Sequence, residues 1–296
     1  MMKIMKLIWN LESEAVNLYE KMQKISQNDK NYPAKLLELK TPPSKLYAAG
    51  NIELLNEFSL AIVGARKCEE ESFNFALEIS QKFGERGIVV ISGLAVGIDT
   101  AAHEGTLNKK GKTIAVLGSG FNEIYPKGNA LLCEKIIENN GLIISEYEPD
   151  MAPLKANFIQ RNRIIAALAC GVIVVEASEK SGSIITAKAA IKLKKQLFAV
   201  PGDRYNENFT GNNKLLVQGA KAILEYEDVI KEYENIQLPK MKKTKTKCMV
   251  VPNEYLDIFE CIKKKPKTAS QISIELSIPI QIINSKLTFM EIERLR

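Results

Sequence analysis

The chain has 296 residues, 46% hydrophobic and 26% charged, with a formal charge of +6. That is the composition of an ordinary globular protein, long enough for one large domain with smaller appendages, and its charge permits an anionic partner without establishing one. The composition argues against a disulfide framework and a zinc site: the five cysteines (Cys68, Cys133, Cys170, Cys248, Cys261) are scattered, odd in number and lack any C-x-x-C pair, which fits a reducing cytoplasm. The N-terminal apolar stretch is interrupted at Asn10 and Glu12, too short and too polar for a signal peptide, and no long apolar span follows. A cytoplasmic location without membrane contact is therefore expected.

Residues 1–56 read as a short helical and extended lead-in, with Tyr32-Pro33, Pro42-Pro43, Leu46-Tyr47 and Gly50 marking an irregular segment that packs on the main domain. Residues 57–232 alternate apolar, β-branched runs with helical patterns. The runs are Ile62-Val63, Val89-Val90-Ile91, Ile114-Ala115-Val116-Leu117, Ile143-Ile144 and Val172-Ile173-Val174-Val175, each ending in Gly, Ser or a charge. Between them Phe73, Ala76, Leu77, Ile79 and Phe83, then Leu131, Leu132, Ile136 and Ile137, then Ile184, Ile185, Ala189 and Ile191 recur at helical spacing. Strand, helix, strand at this rhythm predicts right-handed βαβ units and an α/β, doubly wound, mostly parallel sheet. In such a sheet the loops at the carboxyl ends of the strands gather where ligands bind.

Residues 233–250 read as a solvated basic linker carrying Lys240, Lys242, Lys243, Lys245 and Lys247. Residues 251–296 are helical again. Thr268 and Gln271 predict a capping box, Ser277-Ile278-Pro279 a turn, and Ile282, Ile283, Leu287 and Met290 a second amphipathic helix. Helix, turn, helix of this size resembles a winged-helix module, with no sequence left for the hairpin wing.

Two nucleotide motifs fail on inspection. Gly118-Ser119-Gly120 follows a strand, but Glu123 stands where G-x-G-x-x-G needs its third glycine. Gly111-Lys112-Thr113 enters a strand, whereas a P-loop enters a helix, and Gly105 lies one residue too far upstream. Other residues suit phosphate better. Arg66 directly follows the first strand and either forks onto a phosphate or pairs with Glu146 or Glu176. Ser181-Gly182-Ser183 with Thr186 opens a helix flanked by Lys180 and Lys188, which is either an anion pocket or a simple N-cap. Asn157-Phe158 with Arg161, Asn162 and Arg163 supplies cations and a stacking face, or else arginines that pin the helix to neighbouring loops. Tyr125-Pro126-Lys127 adds another aromatic and cation. Asp99 and His103, one turn apart, fit a local hydrogen bond or a helix-end charge better than an acid–base pair.

From Tyr32 to Ala222 the chain resembles the DNA-processing protein A family (DprA, also called Smf). The matching segments include Ala61-Ile62-Val63-Gly64-Ala65-Arg66, the stretch from Ser92 to His103, Ile124-Tyr125-Pro126, Arg161-Asn162-Arg163-Ile164-Ile165-Ala166 and Val174-Val175-Glu176-Ala177. Ser181-Gly182-Ser183, Thr186-Ala187 and Ala199-Val200-Pro201-Gly202 complete the pattern in the family's order. The resemblance implies an extended Rossmann-like core without cofactor that binds single-stranded DNA and does not cut it. It implies protection of incoming strands during natural transformation, loading of the RecA recombinase, and a homodimer. Carried over by motif, Arg66, Lys127, Arg161, Asn162, Ser181, Gly182, Ser183 and Thr186 line the DNA pocket. Arg163 and Lys188 join them on the reading of the residues. The chain departs from the family at Ala65, at Glu69-Glu70-Glu71, at Ala167 and in the loop from Asp203 to Phe209.

The competing reading is a Rossmann-like nucleotide phosphoribohydrolase. That family carries Pro-Gly-Gly-x-Gly-Thr-x-x-Glu at the corresponding helix start, where this chain has Ser181-Gly182-Ser183-Ile184-Ile185-Thr186-Ala187-Lys188 and no matching carboxylate.

Overall fold

A computed structural model of the chain describes residues 22–235, 255, 257–258, 261 and 267–292. Its contacts divide the chain into two units, Met1–Lys242 and Lys243–Arg296. The basic linker lies almost wholly outside the described residues.

The first unit is built on a nine-stranded sheet with the order β1-β2-β6-β5-β4-β3-β7-β8-β9. The central strands are β3 (Ser59–Val63), β4 (Val89–Ser92), β5 (Thr113–Val116), β6 (Leu142–Ser145) and β7 (Gly171–Val174). Every residue of these five is buried, as continuous β-branched runs demand when helices cover both faces. β8 (Gln196–Ala199) and β9 (Lys221–Ala222) continue the parallel pairing beyond β7.

Alternation along each strand decides which helix it meets. Leu60 and Ile62 face the cluster formed with Ala76, Ile79 and Phe83 of α1 (Glu70–Arg86) and Ile98, Ala101 and Ala102 of α2 (Ile98–Asn108). Ala61 and Val63 face the opposite cluster, with Ile164, Ile165 and Leu168 of α4 (Lys155–Leu168) and Ile184, Ala187 and Ala190 of α5 (Gly182–Lys192). α3 (Ala130–Glu138) covers β5 and β6 through Leu132, Cys133 and Ile136. α1 stops at Gly87, whose φ of +79° suits a left-handed cap that a β-carbon would strain.

The winding follows from the order. The chain steps outward from β3 through β4 and β5 to β6, then returns through α4 to place β7 on the other side of β3. The switch point therefore lies between β3 and β7, and the crevice at their carboxyl ends is where an open α/β sheet binds its ligand.

The lead-in is more regular than its proline-rich sequence suggests. β1 (Met22–Ser26) and β2 (Lys45–Gly50) pair antiparallel, and β2 joins β6 with Tyr47 opposite Ser145. Both are short, and the partner of β2 lies far along the chain, so no local pattern announces them. The last α-helices of this unit are α6 (Thr210–Val217) and α7 (Tyr226–Ile230).

In the second unit α8 (Ala269–Leu276) and α9 (Ile280–Ile292) flank the turn at Ser277. The capping box is present: Thr268 Oγ1 accepts from Gln271 N at 3.4 Å and Gln271 Oε1 accepts from Thr268 N at 2.9 Å. Ile272 and Ile283 pack with Tyr255, Ile258 and Cys261. Among the described residues, no helix is long and apolar enough to cross a membrane.

Candidate nucleic-acid interface

A crevice of about 750 Å³ opens at the switch point. One wall is the loop after β3. Gly64 there lies so close to α2 that a β-carbon would stand 2.5 Å from the Ile98 side chain. Arg66 and Lys67 follow, both exposed.

The facing wall is the start of α5. Ser181 is the N-cap: its Oγ accepts from Ser183 N at 3.3 Å and lies 2.6 Å from Ser183 Oγ. Gly182 is exposed, and a β-carbon there would meet nothing within 4 Å, so packing does not require glycine here and the backbone stays uncovered. Thr186, one turn on, is buried beneath. The positive end of the helix dipole and small side chains make this wall receptive to an anion.

Phe158 of α4 supplies a half-buried ring. One side of it rests on Gly118, where a β-carbon would come within 2.5 Å of the ring. The Arg66 guanidinium lies 5.4 Å from the ring centroid, Arg161 5.8 Å, and the exposed ring of Tyr125 5.7 Å. Packing therefore accounts for the glycines of the apparent nucleotide motif: Gly118 seats Phe158, and Gly120 lies against the backbone carbonyl of Pro149, which leaves no room for a β-carbon.

Arg161 lines the crevice from below and is only 3% exposed. Its Nη1 donates to the carbonyls of Gly93, at 2.6 Å, and of Val116, at the ends of β4 and β5. Its Nε donates to Asn162 Oδ1 at 3.2 Å, and Asn162 Nδ2 donates to Gly182 O at 3.1 Å. The pair thus ties α4 to the strand ends and to the start of α5. Burial pulls the Arg161 guanidinium down to about 10, partly offset by Asp99, so it remains charged at neutral pH. Its role is to brace the site and contribute charge from beneath.

The remaining sequence-predicted residues separate. Arg66, Arg161, Asn162, Ser181, Gly182, Ser183 and Thr186 all line the crevice. Arg163 does not. It forms a forked ion pair with Glu146, Nη1 to Oε1 at 2.9 Å and Nη2 to Oε2 at 2.7 Å, and pins α4 to the loop after β6. Lys127 is exposed on a short 3-10 turn, and Lys188 is exposed further along α5, neither of them on the crevice wall. Residues outside the predicted set also line it, among them Lys67, Lys155 and Asn208. Lys67 was legible as the neighbour of Arg66. Lys155 carried no local signal until α4 was placed.

The two carboxylates of the crevice are buried. Asp99 Oδ2 accepts from Gly93 N at 3.1 Å and Ala95 N at 3.3 Å, and burial pushes its carboxyl up against the opposing pull of Arg161. Glu176 Oε2 accepts from Glu69 N, at the start of α1, at 2.9 Å. The accessible charge is thus positive: Arg66, Lys67, Lys155 and Lys180.

His103 takes no part. It is fully buried, and because the Thr113 hydroxyl donates to Val90 O at 2.7 Å, that hydroxyl must accept from His103 Nδ1, 2.7 Å away. Burial, reinforced by the charge of Arg161, pulls the imidazole down to about 3 from its usual 6.5. The folded chain keeps it neutral while the unfolded chain protonates it, so its contribution to stability is complete above pH 6.5 and is lost as pH falls toward 3. Between pH 6.5 and 5 the loss from this group is about 1.5–2 kcal/mol. Urea unfolding across that range shows the slope, and His103→Gln, which removes the sole histidine, flattens it.

The sequence profile of DNA recombination-mediator protein A matches residues 23–234, which include every residue of the crevice. The chain belongs to this family. It is 41% identical over 216 residues to the DNA processing protein DprA of Streptococcus pneumoniae, covering 73% of this chain and 76% of that one. It is 39% identical over 206 residues to protein Smf of Escherichia coli, covering 70% of this chain and 54% of that longer relative. The X-ray structure of the Streptococcus pneumoniae protein superposes with a TM-score of 0.69 at 40% identity, covering 73% of this chain and 76% of that one. A structure of DNA processing protein A from Helicobacter pylori, reported for its single-stranded DNA binding mode, superposes at 0.65 with 34% identity, covering 72% of this chain and 95% of that one. The Rossmann-like α/β architecture is therefore the family's own.

Proposed function

We propose that this chain binds single-stranded DNA through its phosphates in the switch-point crevice and does not cut it. The observation that carries this reading is the segregation of charge: exposed Arg66, Lys67, Lys155 and Lys180 line the crevice together with the start of α5, while the two lining carboxylates, Asp99 and Glu176, are buried and accept backbone N–H groups. Phosphates meet cations and a helix N-terminus, and the Phe158–Tyr125 pair offers a face on which a base can stack. The Helicobacter pylori relative, described by its single-stranded DNA binding, supports the same ligand here.

Membership of the family extends the proposal to its finer elements: a cytoplasmic homodimer that protects incoming strands during natural transformation and hands them to RecA. A phosphoribohydrolase needs a carboxylate that reaches its substrate, whereas Asp99, in the first turn of α2, and Glu176, after β7, are both buried in the crevice wall and engaged by backbone N–H groups. The test is an anisotropy titration with a labelled single-stranded oligonucleotide, alongside an assay for free base released from nucleoside monophosphates. Saturable binding to the single strand, weaker binding to duplex and no base release is the expected result. Release of base would reverse the assignment. Capture of RecA on the protein–DNA complex, and the mass of the particle in sedimentation, test the remaining elements separately.

A further inference from the structure

The loop after β8 carries a feature that the crevice does not use. Tyr205 is 79% exposed, and the Arg204 guanidinium lies over its ring at 4.6 Å. The loop is held from several sides. Tyr205 N donates to Asp203 Oδ1 at 2.9 Å, closing an Asx turn, and Gly202 exchanges hydrogen bonds with the Asn213 side chain at 3.3 and 3.1 Å. Asn206 and Asn208 both donate to Glu69 Oε1, at 2.7 and 3.2 Å, which fastens the loop to the start of α1. Asn208 itself lines the crevice. An exposed aromatic residue is common on protein surfaces. One stacked beneath a guanidinium, on a tethered loop that reaches the edge of a cationic crevice, is a prepared face for a planar ring.

We propose that Tyr205 and Arg204 form a second nucleobase-stacking site, which takes a base of the single strand after it leaves the crevice. This rests on the single-stranded DNA reading above and extends it into a path. Tyr125 follows β5, Arg66 follows β3, Ser181 follows β7 and Tyr205 follows β8, so the strand order places them in sequence along one sheet edge. From β5 to β8 is four strand spacings, about 19 Å. At about 3.4 Å per stacked nucleotide that edge spans roughly five or six nucleotides. Glu69 has a place in this arrangement: it is the acceptor that holds the loop carrying the distal site.

The experiment compares the intact chain with Tyr205→Ala, Tyr205→Phe and Arg66→Ala, each titrated with a dinucleotide and with a long thymidylate strand. Tyr205→Ala is expected to weaken binding of the long strand by about 5- to 150-fold, the range set by loss of one stacked base, and to leave the dinucleotide unchanged. Tyr205→Phe restores the long-strand affinity, because a phenyl ring stacks equally. Photocrosslinking of an iodouracil-substituted long strand labels Tyr205. If Arg66→Ala weakens binding while Tyr205→Ala does not, the crevice holds the DNA and the distal site is wrong. An equal loss on the dinucleotide means that Tyr205 only shapes the crevice rim, which also overturns it. A change in particle mass without DNA on Tyr205→Ala assigns the residue to a protein interface instead. Failure of the intact chain to bind either ligand refutes the underlying reading as well.

Discussion

Arg161→Ala is expected to cost about 3–5 kcal/mol of stability, although the residue sits among the exposed cations of the crevice. The substitution strips the carbonyls of Gly93 and Val116 of a buried donor and removes the cation that offsets buried Asp99. It also frees Asn162 from Arg161 Nε and so loosens the brace to Gly182 O. Chemical denaturation reads the loss directly. Arg161→Lys should recover only part of it, since an ammonium keeps the charge but lacks the planar fork. Gly93→Ala should resemble Arg161→Ala, because a β-carbon there would stand 2.6 Å from the guanidinium. A cost below about 1 kcal/mol for Arg161→Ala would mean that the guanidinium is not the brace described.

The largest effect on binding is expected from the exposed cations. Arg66→Ala should weaken single-strand binding by about 10- to 100-fold, the range for one charge-assisted contact, and cost no more than about 1 kcal/mol of stability, since the side chain is exposed and loses only its contact with the Phe158 ring. Adding Lys180→Ala should weaken it further, roughly additively if the two reach different phosphates. Lys188→Ala is the control: it is equally exposed and cationic on the same helix as the binding wall, but it lies off the crevice and should change little. Equal losses for Lys188→Ala and Arg66→Ala would point to diffuse surface charge instead of a site.

The outcome shows which chemistry a sequence exposes and which it hides. Parallel strands were legible because five buried runs alternate with helical patterns, and the loops after β3 and β7 followed from that rhythm. Ser181-Gly182-Ser183 was legible for the same reason: a cap and a glycine at a helix start are local. Arg161 and Arg163 were not separable by pattern. Both are cations on one helix, and only tertiary packing assigns one to backbone carbonyls beneath the crevice and the other to Glu146. The strands β1 and β2 were hidden because β2 pairs with a distant β6. Glu69 and the loop from Asp203 to Phe209, two separate departures from the family pattern, prove to be one feature, joined by the hydrogen bonds from Asn206 and Asn208.

The most direct test of the crevice as a phosphate-binding site is the salt dependence of single-strand affinity, measured for the intact chain and for the Arg66→Ala, Lys180→Ala double variant. Each phosphate neutralised contributes about −0.7 to the slope of log affinity against log salt. If the four rim cations Arg66, Lys67, Lys155 and Lys180 each take one phosphate, the intact chain should show a slope of about −3, roughly halved in the double variant. A slope near zero, or one that the double variant leaves unchanged, would contradict the account and place the affinity elsewhere on the chain.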